Sequence, residues 1–241
     1  MLDQLTALRA GWEPTDYSKR LLVPDTRVCI ASDVHIPYHD EVLLAQMLEN
    51  CKAHRIESII WLGDLMGMPT FSPWGRTDFS TSFKRELDIL RGVMEIAASA
   101  VPFQYWTMGN HEQWWLKKLD NQVYLDSLAR MAGLGAWLDA GVLVLSDNPF
   151  IELFESRWLA CHPYKSTGHA FDFASKLARD ENKNVMLAHT HRWGMQAVGD
   201  LVAVESGGIF NPALIDYAQN SGSAGYWFLI DNNPIGFRKA E

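Results

Sequence analysis

Eight short apolar runs constrain the fold of this 241-residue chain more than any other feature of its sequence. The runs are four to six residues long and rich in β-branched or aromatic side chains, which indicates strands buried on both faces. They span residues 28–31, 58–62, 103–108, 142–145, 158–161, 185–188, 201–204 and 226–230. The first prediction is therefore a protein with a large core built on β-strands.

Segments with helical periodicity lie between several of these predicted strands, at residues 41–54, 83–100 and 168–179. Strand and helix alternate in the first half of the chain, whereas strands cluster towards its C-terminus. This order predicts a layered α/β protein in which helices cover the sheets and antiparallel pairing increases towards the C-terminus. Residues 65–82 are rich in Gly, Pro and Ser and are predicted to form a long active-site loop.

Length and composition indicate how the chain is organised and which partners suit it. The length fits one domain over residues 1–241, with residues 1–26 as an N-terminal extension. With 48% hydrophobic and 21% charged residues, the chain has the composition of an ordinary globular protein. The formal net charge of -8 disfavours a long nucleic-acid duplex as partner, but it is compatible with small anionic substrates at a metal site.

The cysteines and the N-terminal segment indicate the cellular compartment. Cys29, Cys51 and Cys161 show no metal-ligand spacing and cannot all pair, which fits a reducing environment. The first twenty residues carry acidic side chains and no apolar core, so they resemble neither a signal peptide nor a membrane span. We therefore expect a cytoplasmic protein that has no membrane partner.

Polar residues of metal-binding types follow five of the predicted strands. In chain order they are Asp33, His35, Asp64, Asn110, His111, His162, His189 and His191. In an extended backbone, residues i and i+2 face the same side, so Asp33 and His35 are predicted to point to one place, as are the last two histidines. Gly63 permits an unusual backbone conformation or a close approach before Asp64, whose two carboxylate oxygens suit it to bridge two cations.

Each of these motifs also has an ordinary structural explanation. Asp-x-His is most often a turn, and Asn110 suits a helix N-cap with Glu112 in the first turn. Asp64 after a glycine also suits a turn, and His162 is able simply to end a strand. All of these explanations would have to hold together at equivalent strand ends of one chain. Because the carboxyl ends of strands in α/β sheets commonly form a binding crevice, their joint occurrence favours one functional site.

In their order along the chain, the motifs resemble the signature of the calcineurin-like metallophosphoesterase superfamily. That signature runs Asp-x-His, Gly-Asp-x-x-Asp, Gly-Asn-His-Asp/Glu, a lone His and Gly-His-x-His, and the resemblance covers roughly residues 27–205. It implies a fold of two facing mixed β-sheets flanked by helices, which is a four-layer αββα sandwich. It also implies hydrolysis of a phosphoester by a water molecule that two divalent metal ions activate.

The resemblance implies a role for each of these residues. By position, it implies seven metal ligands in two sets joined by a bridge: Asp33, His35 and His191; Asn110, His162 and His189; and Asp64 as the bridge. Mixed imidazole and carboxylate ligands suit Mn, Fe, Zn or Ni better than Ca, and Mn is the first expectation. His111 would face the leaving oxygen, so His111→Gln or His111→Asn should keep the metals and lower turnover at least about tenfold on poor leaving groups.

Two positions depart from the superfamily signature. The stretch from Gly63 to Met68 lacks the second acid of Gly-Asp-x-x-Asp, which in many relatives orients the histidine equivalent to His111. Asp78, Glu112 or another group would have to replace that acid, or His111 is less well placed. Ala188 also stands where the signature has Gly, a change that need only be tolerated sterically.

The resemblance and the residues near the predicted crevice also limit the substrate. Protein phosphatases of the superfamily carry Asp-Arg-Gly and an Arg in regions where this chain has Met66-Gly67-Met68 and Met108, so a phosphoprotein is disfavoured. A phosphodiester or phosphomonoester remains, with a nucleotide-type compound favoured, because cations bind phosphate and aromatic rings stack on bases. The predicted substrate contacts are Arg192, Lys165, Arg76 and Trp74. Trp114 and Trp115 suit either helix packing or a wall of the substrate site.

Two other functions are alternatives for a chain with these motifs. A DNA or RNA nuclease of the same superfamily would cleave polymers with a strong dependence on salt, and the acidic balance of the chain disfavours it. A non-catalytic scaffold with the same fold would be expected to have lost metal ligands, whereas all seven candidates are present.

Overall fold

The computed structural model describes residues 19–73, 82–119, 124–165, 169–215 and 223–239. Most of the predicted N-terminal extension lies outside the described residues. The same holds for Trp74, Arg76 and Asp78 in the predicted loop.

Two six-stranded sheets form the centre of the described structure. In chain order the strands are β1 (Leu21–Val23), β2 (Arg27–Ala31), β3 (Ser58–Leu62), β4 (Phe103–Thr107), β5 (Leu143–Ser146), β6 (Phe150–Leu153), β7 (Trp158–Cys161), β8 (Asn184–Leu187), β9 (Trp193–Val198), β10 (Leu201–Ser206), β11 (Gly225–Ile230) and β12 (Asn233–Arg238). The first sheet has the order β12-β11-β2-β3-β4-β5, and the second sheet has the order β1-β6-β7-β8-β10-β9.

Both sheets are mixed. In the first sheet β2 to β5 run parallel, whereas β11 is antiparallel to both of its neighbours, β2 and β12. In the second sheet β7, β8 and β10 run parallel, and β6 and β9 pair with them in the antiparallel sense. The carboxyl ends of β2, β3 and β4 therefore lie side by side, as do those of β7 and β8.

The helices in the described ranges are α1 (Glu41–Ala53), α2 (Phe83–Ala100), α3 (Asn110–Lys118), α4 (Leu125–Met131), α5 (Gly135–Asp139) and α6 (Asp172–Glu181). Capping side chains start the two long helices: Asp40 accepts a hydrogen bond from the backbone N–H of Leu43, and Ser82 accepts one from Arg85. None of the helices in the described ranges is long and apolar enough to cross a membrane.

Alternation along β2 explains the layers. Val28 and Ile30 pack between the two sheets with residues such as Met186, whereas Cys29 and Ala31 pack among residues of α1 and α2. On the far side, α6 covers the outer face of the second sheet. The predicted αββα sandwich of two facing mixed sheets is therefore confirmed.

All eight predicted strands overlap an observed strand, and α2 has the predicted bounds. The strands missed by prediction are β1, β6, β9 and β12. β1 has only three residues, and β9 and β12 are largely exposed edge strands without an apolar run. Edge strands such as these pair through their backbone, which leaves little hydrophobic pattern to detect.

Candidate metal centre

The loops that follow β2, β3, β4, β7 and β8 bring the predicted ligands together where the two sheets meet. Ligand atoms within 4.8 Å of one another form three groups: Asp33, His35 and His191; His35, Asp64 and His111; and Asp64, His162 and His189. Asn110 adjoins the third group, because its Oδ1 lies 2.7 Å from Nδ1 of His189. All eight residues singled out at the strand ends therefore lie in one cluster.

The predicted reason for this convergence, an extended backbone through Asp33 and His35, is wrong. Their φ angles are 49° and 52°, and those of His189 and His191 are 75° and 55°. Residues other than glycine rarely adopt this left-handed region, and such residues concentrate at functional sites. The chain bends sharply after each strand, and the N–H groups of Asp33 and His35 bond to the carbonyls of Gly63 and Asp64.

Two glycines allow the loops of the centre to approach closely. A Cβ added at Gly63 would lie 2.4 Å from Cγ of His162, which belongs to the other sheet. A Cβ added at Gly109 would lie 2.2 Å from both N and Oδ1 of Asp64. Any side chain at either position would push the ligand loops apart, so both glycines are needed for the observed geometry.

The two aspartates connect the sheets. Oδ1 of Asp33 lies 3.2 Å from Nε2 of both His162 and His191. Oδ2 of Asp64 lies 3.3 Å from Nε2 of His162 and 3.6 Å from Nε2 of His111. Nε2 of His35 also lies 3.0 Å from Nε2 of His191. Carboxylate oxygens and imidazole nitrogens thus converge from both sheets.

Burial and charge set the protonation of the histidines. Burial lowers the pKa of His35, His111 and His189, which favours the neutral imidazole that binds metals. Burial also acts to lower the pKa of His162, but the negative charges of Asp64 and Asp33 outweigh it and raise that pKa well above its usual value. The negative charges of the two aspartates therefore draw positive charge to the centre, while the other three imidazoles favour the neutral form.

The carboxylates of the centre are ionised. Burial acts to raise the pKa of Asp33 and Asp64, but the surrounding imidazoles lower both below the usual range. Two buried anions need nearby positive charge, and a divalent cation provides it. Carboxylate and imidazole donors in this number suit Mn, Fe, Zn or Ni, so the donor set fits the metals that the sequence predicts.

Glu112 does not replace the missing second acid, because its carboxylate binds backbone groups. Oε2 accepts hydrogen bonds from the N–H groups of Gly109 and Asp64, at 2.9 and 3.1 Å, and Oε1 accepts one from Met66 at 3.0 Å. Burial and the charge of Asp64 raise the pKa of Glu112 to about 7, although these hydrogen bonds oppose the rise. Glu112 therefore caps the start of α3 and anchors the loop that carries Asp64.

The backbone carbonyl of Gly67 contacts His111, at 2.7 Å from Nδ1. Prediction missed this contact, although Gly67 stands where Gly-Asp-x-x-Asp has its second acid. The ring of Trp114 also lies against that of His111, with 3.8 Å between centroids. Trp115 is only 3% exposed and belongs to the core around α1 and α2, so it packs a helix and is no wall of the site.

The predicted substrate residues are less well connected to the centre. Arg192 is half-exposed, and its Nη1 lies 4.0 Å from Oε1 of the buried Glu205. Lys165 is exposed at the end of a described range. Phe210, which prediction missed, is fully buried with its ring 4.7 Å from that of His191. Phe210 carries no ligand-type side chain, so no sequence pattern pointed to it.

Comparisons with solved structures find similar chains at low sequence identity. Among solved structures, a Vps29 variant from Entamoeba histolytica is similar at 12% identity, with 88% of this chain and 98% of that chain covered and a TM-score of 0.41. YfcE, a phosphoesterase from E. coli, is similar at 13% identity, with 89% and 98% covered and a TM-score of 0.42. No curated protein matches the sequence significantly.

The class that the sandwich and its metal-type residues define is that of the metallophosphoesterases. The family model for calcineurin-like phosphoesterases matches residues 26–205, which is most of the chain. The chain therefore belongs to the calcineurin-like phosphoesterase family.

Proposed function

We propose that the protein is a dinuclear metal-dependent phosphoesterase. The observation that carries this proposal is the position of Asp64, which belongs both to the ligand group of His35 and to that of His162. Oδ2 of Asp64 lies 3.6 Å from Nε2 of His111 in one group and 3.3 Å from Nε2 of His162 in the other, so this carboxylate is suited to lie between two cations. The demand for positive charge at Asp33 and Asp64 supports the same conclusion.

The proposed ligands are those of the two predicted sets with their bridge: Asp33, His35 and His191; Asn110, His162 and His189; and Asp64. When bound, two divalent ions, with Mn as the first choice, polarise a phosphoryl oxygen and activate a water molecule. The protein orients the ligands through the bent loops and excludes bulk water through the buried core below them. His111 is proposed to stabilise or protonate the leaving oxygen.

The proposed substrate is a phosphodiester or phosphomonoester, with a nucleotide-type compound favoured. The protein is proposed to act on it in the cytoplasm. Arg192 directly follows the proposed ligand His191 in the chain, and a half-exposed guanidinium is suited to bind a phosphate. Lys165, Arg76 and Trp74 remain proposed contacts. The net charge of -8 supports a small substrate over a long polymer.

The test is a screen of protein reconstituted with Mn, Fe, Zn or Ni against a model diester, a monoester, cyclic nucleotides and single-stranded DNA. We expect hydrolysis of a small ester, and loss of at least about 1,000-fold in Asp64→Ala, because several kcal/mol of charge stabilisation would disappear. Asp88→Ala is the matched control, since Asp88 is exposed on α2 and pairs with Lys84.

The outcomes of the screen separate the alternatives. Full activity in Asp64→Ala would contradict the dinuclear mechanism. Preferential cleavage of DNA with a steep dependence on salt would instead support the nuclease, and inactivity with every metal and substrate class would favour the scaffold.

A further inference from the structure

His111 has no acidic residue at the position that would orient it in the superfamily signature. Gly67 stands at that position, and a Cβ added there would lie 3.1 Å from Cδ2 of Tyr38 and 3.2 Å from the carbonyl oxygens of His35 and Ile36. These distances are tighter than ordinary van der Waals contact, so the fold leaves little room for a carboxylate side chain. Another group has to orient the imidazole.

The hydrogen bond between Gly67 and His111 fixes which ring nitrogen carries a proton. A carbonyl oxygen only accepts hydrogen bonds, so Nδ1 of His111, 2.7 Å away, must be the donor. The other nitrogen, Nε2, lies 3.6 Å from Oδ2 of Asp64 and so faces the candidate metal centre. The backbone carbonyl thus holds a proton on Nδ1 and prevents the ring from flipping, and the ring donates to a leaving oxygen through Nε2 when that nitrogen is protonated as well.

One hydrogen bond does not by itself fix the tilt of a ring, and Trp114 adds a second contact to His111. Trp114 lies three residues after His111 on α3, so the two side chains share a face of the helix. The two rings are 3.8 Å apart between centroids and inclined by 30°. The ring of His35 lies 4.5 Å from that of His111 at 57°. Flat contact with an indole restricts rotation of the imidazole about its χ2 bond.

We propose that Trp114 and the Gly67 carbonyl together position His111, in place of the acid that the superfamily signature has at the position of Gly67. The carbonyl holds Nδ1, the indole holds the plane of the ring, and Nε2 is aimed at the place where the leaving oxygen would sit. Trp114 is therefore a positioning residue that acts through His111. The inference rests on the proposed function for its catalytic consequence, whereas the geometry of His111 is measurable without any activity.

The first experiment measures Trp114→Leu and Trp114→Phe with two esters that differ only in leaving group. On an alkyl ester, a poor leaving group, Trp114→Leu should lower kcat about fivefold with little change in KM, because the leaving oxygen needs His111 most there. On a nitrophenyl ester the loss should be under about twofold, and Trp114→Phe should restore most of the activity because its ring still stacks. Equal losses on both esters would mean that Trp114 only supports the fold.

The second experiment tests whether Trp114 acts through His111. In a His111→Asn background, Trp114→Leu should cause no further loss beyond about twofold, because the residue it positions is gone. Additive losses would show that Trp114 acts on substrate or stability independently, and would overturn the proposal. Trp137→Leu is the matched control, since Trp137 on α5 is a half-buried tryptophan of the same hydrophobic core.

A third experiment needs no activity. Long-range ¹H–¹⁵N spectra of the histidine-labelled wild-type protein, with His111 assigned by comparison with His111→Asn, should show a proton on Nδ1. A ring protonated only at Nε2 would overturn the proposal. If the protein hydrolyses no ester but this signal is found, the proposed function fails while the positioning of His111 stands.

Discussion

The two sheets contribute unlike halves to the candidate centre. The first sheet supplies every proposed oxygen ligand, from Asp33, Asp64 and Asn110, together with His35 and His111. The second sheet supplies only imidazoles: His162, His189 and His191. The negative charge of the centre therefore comes from one sheet, and the second sheet completes the ligand shell around it.

The halves also differ in what holds them in place. The half from the first sheet is tied to its own backbone, because Asp64 accepts a hydrogen bond from the N–H of His111 at 2.8 Å and the Asp64 N–H bonds to Glu112. The half from the second sheet has backbone bonds of its own, such as that from the N–H of His162 to the carbonyl of Pro149, and it is also tied across the interface, because the N–H of His189 bonds to Oδ2 of Asp33 at 3.1 Å. We infer that the second half depends on the first for its alignment.

Asp33→Asn should break this dependence with the largest effect. The amide keeps one oxygen but loses the charge that attracts His162 and His191, and it places an NH₂ group near nitrogen or N–H partners. We expect loss of at least about 1,000-fold in kcat/KM, together with weaker metal binding. Hydrogen exchange of the 188–192 loop should also accelerate, while that of the 63–67 loop should change little.

The exchange measurement is what tests the comparison between the halves. Asp88→Asn on the exposed face of α2 serves as the control for a general effect of losing a carboxylate. Equal acceleration in both loops after Asp33→Asn would mean that the centre is held as one unit and that the distinction between its halves is wrong.

The sequence predicted which candidate ligands come together because candidate ligands are side chains, whose types and order can be read directly from the sequence. Asp33, His162 and the other candidates follow strands that could be recognised from apolar runs, so their meeting place followed from parallel pairing. The apolar runs alone did not separate two sheets. The sandwich was predicted from the resemblance to the superfamily, which implies a second sheet.

The features that the sequence did not predict depend on backbone conformation and backbone hydrogen bonds. The left-handed bends at Asp33 and His191 depend on hydrogen bonds and packing between loops, and neither residue type signals such a conformation. The carbonyl of Gly67 is an acceptor that every residue possesses, so no side-chain pattern marks it as the partner of His111. Edge strand β9 was missed for a related reason, because its pairing with β10 is made by backbone groups.

Glu112→Gln tests what holds the half from the first sheet in place, and its expected effect on metal binding is intermediate. Gln has only one side-chain oxygen, so its NH₂ group would oppose at least one of the three backbone N–H groups that Glu112 now accepts from. The loop that carries Asp64 would shift, and we expect about 10- to 100-fold weaker metal binding. Titration of the metal-free protein by calorimetry measures this.

The control for Glu112→Gln is Glu95→Gln, which changes an exposed glutamate of α2 paired with Arg91. Unchanged metal affinity in Glu112→Gln would show that the Asp64 loop does not need its carboxylate anchor, and the first half would then be held by the sheet alone.

Glu86→Gln should have the smallest effect on activity, because Glu86 is a buried acid of α2 that is not among the ligand groups. Burial raises its pKa to about 8 from the usual 4.5, although the nearby N–H of Met68 opposes the rise. The folded state therefore keeps a proton that the unfolded chain releases above pH 4.5, so stability is lost as the pH rises from there through about 8. Gln cannot ionise, so the variant should escape this loss.

The expected result is equal stability of wild type and Glu86→Gln near pH 5, and a variant more stable by about 2 kcal/mol near pH 9, a value discounted for partial solvent screening. Urea unfolding of the metal-free proteins at both pH values measures the difference, and activity should stay within about twofold. Parallel stability curves would show that Glu86 ionises freely in the folded state. A large loss of activity would instead show that Glu86 supports the centre, as Glu112 does, and that it is not only a structural residue of α2.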